Sequence, residues 1–109
     1  MILLSNWFKI PIMKSELVIY KKATDELGNT IEIKIWQVRP STHKPHGYKY
    51  SLVCIVNDIR VIGYDNAERK GDHRHYGQIE KGYDFKDIDN LLEDFYKDIE
   101  KYREGNYEN

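Results

Sequence analysis

The chain has 109 residues, and 17 Lys and Arg stand against 18 Asp and Glu, so the formal net charge is −1. This length suits one domain, and the near-neutral charge excludes the global positive field of a typical nucleic-acid binder. One cysteine, Cys54, excludes an internal disulfide framework and indicates a reducing, cytoplasmic location. The apolar start at residues 1–4 is too short for a membrane span and lacks a cleavage site, so neither insertion nor secretion is predicted.

The first fourteen residues differ from the rest of the chain because they show no clear period and contain Pro11. We interpret residues 1–14 as an extension of the gene model or a loosely packed arm. A sharper alternative is an arm that swaps onto a second copy in a homodimer, with Trp7 and Phe8 as anchors. Residues 15–105 are predicted to form a single domain, and residues 106–109 a frayed tail.

The first half of the domain has the pattern of a β-sheet. Branched and aromatic residues predict a strand over 17–23, and turn-forming residues over 25–29 lead into a second strand over 30–38. In that second strand Ile31, Ile33 and Ile35 alternate with polar residues, as in a strand with one buried face. The pair therefore predicts a β-hairpin.

A proline-containing loop over 39–47 separates this hairpin from the most apolar strand, over 48–56, which is predicted to lie in the middle of the sheet. A two-residue turn at Asn57-Asp58 then leads to a strand over 60–66. After a polar tip, the last strand is predicted over 73–79.

From Asp87 onward the apolar period changes to that of an α-helix of about five turns. The apolar stripe consists of Ile88, Leu91, Leu92, Phe95, Tyr96, Ile99 and Tyr102. Asp87 is a good N-cap, and Gly105 is placed to end the helix. The predicted fold class is α+β, an antiparallel meander of about five strands covered by one C-terminal helix.

The stretch 64–76 concentrates more ionisable side chains than any other part of the chain, with two histidines one residue apart. If the strands flanking its tip pair as a hairpin, the predicted partners are Tyr64 with His75, Asp65 with Arg74 and Asn66 with His73. Because successive side chains alternate faces, His73 and His75 would share one face. Asp65 and Arg74 would form a cross-strand ion pair on the other face.

Three chemistries fit this stretch. In the first, His73 and His75 act as general base and general acid on an RNA phosphodiester, and Lys70, Arg69 or Arg74 stabilises the developing charge. In the second, both histidines bind a divalent metal with Asp65 or Asp72. In the third, the stretch is an exposed hairpin tip with ordinary surface ion pairs. The first is favoured because packing alone does not require such a density of ionisable groups.

The segment Tyr64-Asp65-Asn66, the run Lys70-Gly71-Asp72-His73-Arg74-His75 and the patterned helix after them resemble the TumE family. That family is assigned as the toxin half of bacterial and archaeal toxin–antitoxin modules. The resemblance implies a small cytoplasmic growth inhibitor that is restrained by an antitoxin from the neighbouring gene. The residues that match by position are Asp65, Asn66, Lys70, Gly71, Asp72, His73, Arg74 and His75.

The combined prediction is the toxin of a type II toxin–antitoxin module, acting as a metal-independent, ribonuclease-type growth inhibitor without a cofactor. The predicted catalytic residues are His73, His75, Arg74, Lys70 and Asp65. The predicted partners are a cognate antitoxin protein and RNA, with no membrane association. The alternatives are a non-enzymatic module that binds protein or nucleic acid through the basic 64–76 hairpin, and a His/Asp divalent-metal site.

Overall fold

A computed structural model describes residues 15–67 and 71–105, which form one antiparallel sheet and one helix. The elements are β1 (Glu16–Thr24), β2 (Thr30–Gln37), β3 (Tyr48–Val56), β4 (Ile59–Asp65), β5 (His73–Tyr76), β6 (Ile79–Gly82) and α1 (Ile88–Arg103). Spatial order follows chain order, so the sheet is a simple meander. The predicted α+β class is confirmed, whereas the arm over 1–14, the tail over 106–109, Arg69 and Lys70 lie outside the described residues.

The described part of the chain contains six strands rather than about five, because the segment after the tip is two strands. Gly77 has a φ of +59° and starts a two-residue turn with Gln78. Glycine adopts this backbone conformation without steric penalty, so the chain reverses where a continuous strand over 73–79 was predicted. The reversal creates β6 and places its side chains beside those of β5.

Helix α1 covers one face of the sheet and begins and ends where predicted. The Asp87 carboxylate accepts a hydrogen bond from the Asn90 backbone N–H at 2.7 Å, and Gly105 follows the helix with a φ of +78°. The buried core combines sheet and helix side chains, namely Ile33, Ile35, Tyr50, Leu52, Cys54, Val61, Ile62, Tyr64, Tyr76, Leu91, Phe95 and Ile99. Within the predicted apolar stripe of α1, Leu91, Phe95 and Ile99 are buried, whereas Leu92 is only partly buried.

Side chains alternate between the two faces of the sheet, and this alternation places the ionisable residues. The hydroxyl of Tyr64 donates to Asp98 of α1, so Tyr64 points toward the helix. Asp65 therefore points away from it. Among the described residues no helix or strand covers this second face, which we call the open face.

Asn66 lies at the end of β4 and is fully buried. Its side-chain oxygen accepts from the Tyr50 N–H at 3.0 Å, and its amide donates to the Tyr48 carbonyl at 2.8 Å. The side chain thus continues the hydrogen bonding to β3 beyond the last residue of the strand. Because these groups are buried, water cannot readily replace the hydrogen bonds that they make.

We predict that Asn66→Ala lowers the free energy of unfolding by about 2 kcal/mol, because it leaves buried backbone groups of β3 without partners. Asn66→Asp keeps the acceptor but loses the donor, so it is also expected to destabilise the protein. Urea denaturation followed by circular dichroism measures both changes. An alanine variant as stable as the wild type would contradict this role.

Candidate functional site

The β4–β5 hairpin has a register one residue away from the predicted one. Asp65 pairs with His73 and Tyr64 pairs with Arg74. The predicted pairs, including the ion pair between Asp65 and Arg74, are therefore wrong. The physical reason is Asn66, whose side chain bonds to β3, so that it does not pair with β5 and the loop begins one residue earlier.

This register brings Asp65, His73 and His75 together on the open face. Glu80 of β6 pairs with His75 and joins them. His73 Nε2 lies 2.9 Å from Asp65 Oδ1 and 3.1 Å from Glu80 Oε2. His75 Nε2 lies 3.4 Å from Asp65 Oδ2 and 3.6 Å from Glu80 Oε2. We call Asp65, His73, His75 and Glu80 the His–carboxylate cluster.

The ring of His73 has polar neighbours at both of its nitrogens, and the residue is only 4 % exposed. Its Nδ1 lies 3.0 Å from the Gly71 carbonyl oxygen. A carbonyl oxygen only accepts hydrogen bonds, so Nδ1 carries a proton and donates it. The loop that precedes β5 therefore fixes both the orientation of the ring and the direction of Nε2, which faces Asp65 and Glu80.

The ring of His75 stands nearly perpendicular to that of His73, with centroids 5.0 Å apart and an interplanar angle of 79°. Its Nε2 is buried and makes no hydrogen bond with any described residue. Burial, and after it the charge of Arg60, lowers the pKa of His75 below its ordinary value. The neutral form of this imidazole is therefore favoured at neutral pH.

The side chain of Arg60 lies over Gly63, beside the His–carboxylate cluster, because Gly63 has no side chain. Gly63 pairs with His75 across the hairpin, and a Cβ atom there would lie 3.1 Å from Arg60 Cδ. A glycine inside an apolar strand often marks a close approach of this kind. Gly63 was therefore the sequence feature that could have indicated Arg60 as the cation of the site. Sequence reasoning missed both Arg60 and Glu80.

Arg74 lies on the other face and does not meet the two histidines. Its Nη1 donates to the Tyr64 hydroxyl at 3.3 Å, and its guanidinium stands 4.9 Å from the centre of the Tyr76 ring. Burial, together with the hydrogen bond to Asp98, raises the pKa of Tyr64, which therefore stays protonated and donates to that carboxylate. Arg74 thus belongs to the packing between the sheet and α1.

Asp72, the other carboxylate considered as a metal ligand, lies outside the cluster. His46 Nδ1 accepts from the Tyr48 N–H at 3.2 Å, so its Nε2 carries the proton and donates to Asp72 at 2.9 Å. The His46 ring also stacks on Phe85 at 4.0 Å between centroids. The hydrogen bond between His46 and Asp72 connects the loop before β3 to the loop before β5.

The fold and the site define a small α+β protein with a cluster of two histidines and two carboxylates on the open face of its sheet. The profile of the family described as toxin TumE matches residues 10–103. The chain therefore belongs to the TumE toxin family, which confirms the resemblance and supports a toxin role. No curated protein and no solved structure gives a significant match. In the described part of the chain no helix is both long enough and apolar enough to cross a membrane.

Proposed function

We propose that this TumE-family toxin arrests growth by cleaving RNA in the cytoplasm. It would be the toxin of a type II module and would be restrained by a cognate antitoxin protein. The observation that carries the proposal is the convergence of two imidazole nitrogens and two carboxylates from three adjacent strands on the open face. The unpaired Cys54 is in keeping with a reducing compartment.

The proposed reaction is attack of an RNA 2′-oxygen on the adjacent phosphorus atom. The new O–P bond forms as the bond from phosphorus to the 5′-oxygen breaks. The 2′-hydroxyl loses its proton to a base, and the leaving oxygen gains one from an acid. The cluster offers imidazole and carboxylate groups for these proton transfers, and Arg60 for the charge that develops on the phosphate.

Two mechanisms would use these groups differently. In the metal-free mechanism predicted from the sequence, His73 and His75 exchange protons with RNA directly. For an Nε2 atom to take part in that mechanism, its ring must turn from the carboxylates toward the substrate, because both Nε2 atoms face Asp65 and Glu80. In a metal-assisted mechanism the nitrogens stay where they are and bind the ion.

The test is inducible expression in a bacterium that lacks the antitoxin gene. We expect growth to stop, cellular RNA to be cut, and co-expression of the neighbouring gene's product to restore growth. Glu80→Gln is expected to relieve the arrest. The matched control is Glu93→Gln, because Glu93 lies on the exposed side of α1 and forms a surface ion pair with Lys97.

Arrested cells with intact RNA would contradict ribonuclease activity. An arrest of equal strength in Glu80→Gln and Glu93→Gln, at equal protein levels, would remove the cluster from the toxic activity. Failure of the neighbouring gene's product both to bind the chain and to restore growth would contradict the antitoxin pairing.

A further inference from the structure

We infer that the His–carboxylate cluster binds one divalent transition-metal ion of the Zn²⁺ type. The proposed ligands are Nε2 of His73, Nε2 of His75 and the carboxylates of Asp65 and Glu80. This inference goes beyond the proposed function, because it concerns ion binding and does not require RNA to be the substrate.

The spacing of the four groups is the first argument. The potential ligand atoms of Asp65, His73 and His75 all lie within 4.8 Å of one another. The distances from the two nitrogens to the oxygens of Asp65 and Glu80 run from 2.9 to 3.6 Å. A tetrahedral site with metal–ligand distances of about 2.0–2.1 Å separates its ligand atoms by roughly 3.3 Å. The atoms of Asp65, His73 and His75 are thus already spaced roughly as in a coordination shell, and a Glu80 oxygen lies close to both nitrogens.

The tautomer of His73 is the second argument. Because Nδ1 donates to the Gly71 carbonyl, the neutral ring has its lone pair on Nε2, between two carboxylates. A lone pair cannot donate to Asp65 or Glu80, but it can bind a metal. Histidine ligands of metals commonly have their other nitrogen fixed by a carbonyl or carboxylate in this way.

A positively charged His73 would also explain its own contacts, since it could donate to both carboxylates. It would not explain His75, whose buried Nε2 is aimed at the same oxygens without a hydrogen bond to any described residue. Burying a polar nitrogen without a partner costs free energy. One cation between the four groups would satisfy both rings, which approach it at nearly a right angle.

Charge is the third argument. The carboxylates of Asp65 and Glu80 share both Nε2 atoms as neighbours and repel each other, and a divalent cation neutralises both. Two imidazoles favour Zn²⁺ or another first-row transition metal, whereas Mg²⁺ prefers an all-oxygen shell with several waters. Three adjacent antiparallel strands hold the ligands, so little ordering is needed when the ion binds.

The test is calorimetric titration of the full chain with Zn²⁺, after EDTA treatment and removal of the chelator, with no RNA present. We expect one ion per chain and a higher melting temperature with the ion bound. His75→Ala and Asp65→Asn should each weaken binding by about 100-fold or more, and Glu80→Gln by about 10–100-fold. Mg²⁺ at the same concentration should not compete.

His43→Ala is the matched control, because His43 is an exposed histidine in the loop before β3 and should leave the affinity unchanged. Circular dichroism checks that each variant is folded. Glu80→Gln changes an exposed side chain and keeps both histidine rings, so it tests the cluster with little risk to the fold. Co²⁺ provides a second readout, through visible absorption that only the proteins with an intact cluster should show.

A folded wild type that binds no stoichiometric Zn²⁺ would overturn the metal site. Binding that is unchanged in both His75→Ala and Glu80→Gln, or lost equally in His43→Ala, would also overturn it. RNA cleavage by a protein that fails this titration would leave the proposed function intact. Zn²⁺ binding by a protein that never cleaves RNA would contradict the proposed function and leave the metal site intact.

Discussion

Replacing Phe95 by alanine is expected to lower the free energy of unfolding by about 3–5 kcal/mol. Phe95 is fully buried on the sheet side of α1, and its ring meets the Tyr64 ring edge-on with centroids 6.1 Å apart. Removing the ring takes away apolar burial and leaves a cavity between the sheet and its only described covering helix. A domain of this size is stable by about 5–15 kcal/mol, so the loss is a large fraction of the total.

Urea denaturation of the full chain measures this effect, and Glu93→Ala provides the matched control on the exposed side of the same helix. Alanine is a good helix former, so the control should change the stability by less than about 0.5 kcal/mol. A loss below about 1 kcal/mol in Phe95→Ala would show that the core does not depend on this contact.

The helix was predictable because its signals are local. The apolar period, the Asp87 N-cap and the terminal Gly105 all act within a few residues of the positions they define. The central strand β3 was predictable for a similar reason, since a continuous apolar run favours an interior position in the sheet, and β3 pairs with β2 and β4.

The register of the β4–β5 hairpin was not predictable from the hairpin alone. It depends on Asn66, whose side chain bonds to the backbone of Tyr48 and Tyr50, 18 and 16 residues earlier in the chain. A one-residue change in register moves every side chain relative to its partner. His73 therefore lies opposite Asp65 rather than opposite the predicted Asn66, and this changes the chemistry of the site.

Of the predicted catalytic residues, the structure brings together Asp65, His73 and His75, and it places Arg74 on the helix-covered face. Glu80 and Arg60 were missed because they enter the site through pairing across neighbouring strands. Glu80 needs the reversal at Gly77, and Arg60 needs the space that Gly63 leaves. In the sequence only the two glycines mark these arrangements, and neither glycine identifies the side chain that it admits to the site.

Replacing His75 by alanine is expected to slow RNA cleavage by about 10²–10⁴-fold, the usual effect of removing a group that transfers a proton. The ring is mostly buried and its Nε2 faces both carboxylates of the cluster, so alanine removes a central member of the site. His43→Ala is again the control, since it removes an exposed ring outside the cluster. Rates would be measured on single-stranded RNA, with the unfolding free energy of each variant measured alongside.

The same assay separates the two mechanisms when it is repeated with EDTA. If His75 exchanges protons directly with RNA, the wild type stays active in EDTA and the variant stays slow. If His75 is a metal ligand, EDTA reduces the wild type to the rate of the variant, and added Zn²⁺ restores only the wild type. The second result is the one we expect, because Nε2 of each imidazole already faces Asp65 and Glu80. An unaltered rate in folded His75→Ala, with or without EDTA, would remove this histidine from the reaction.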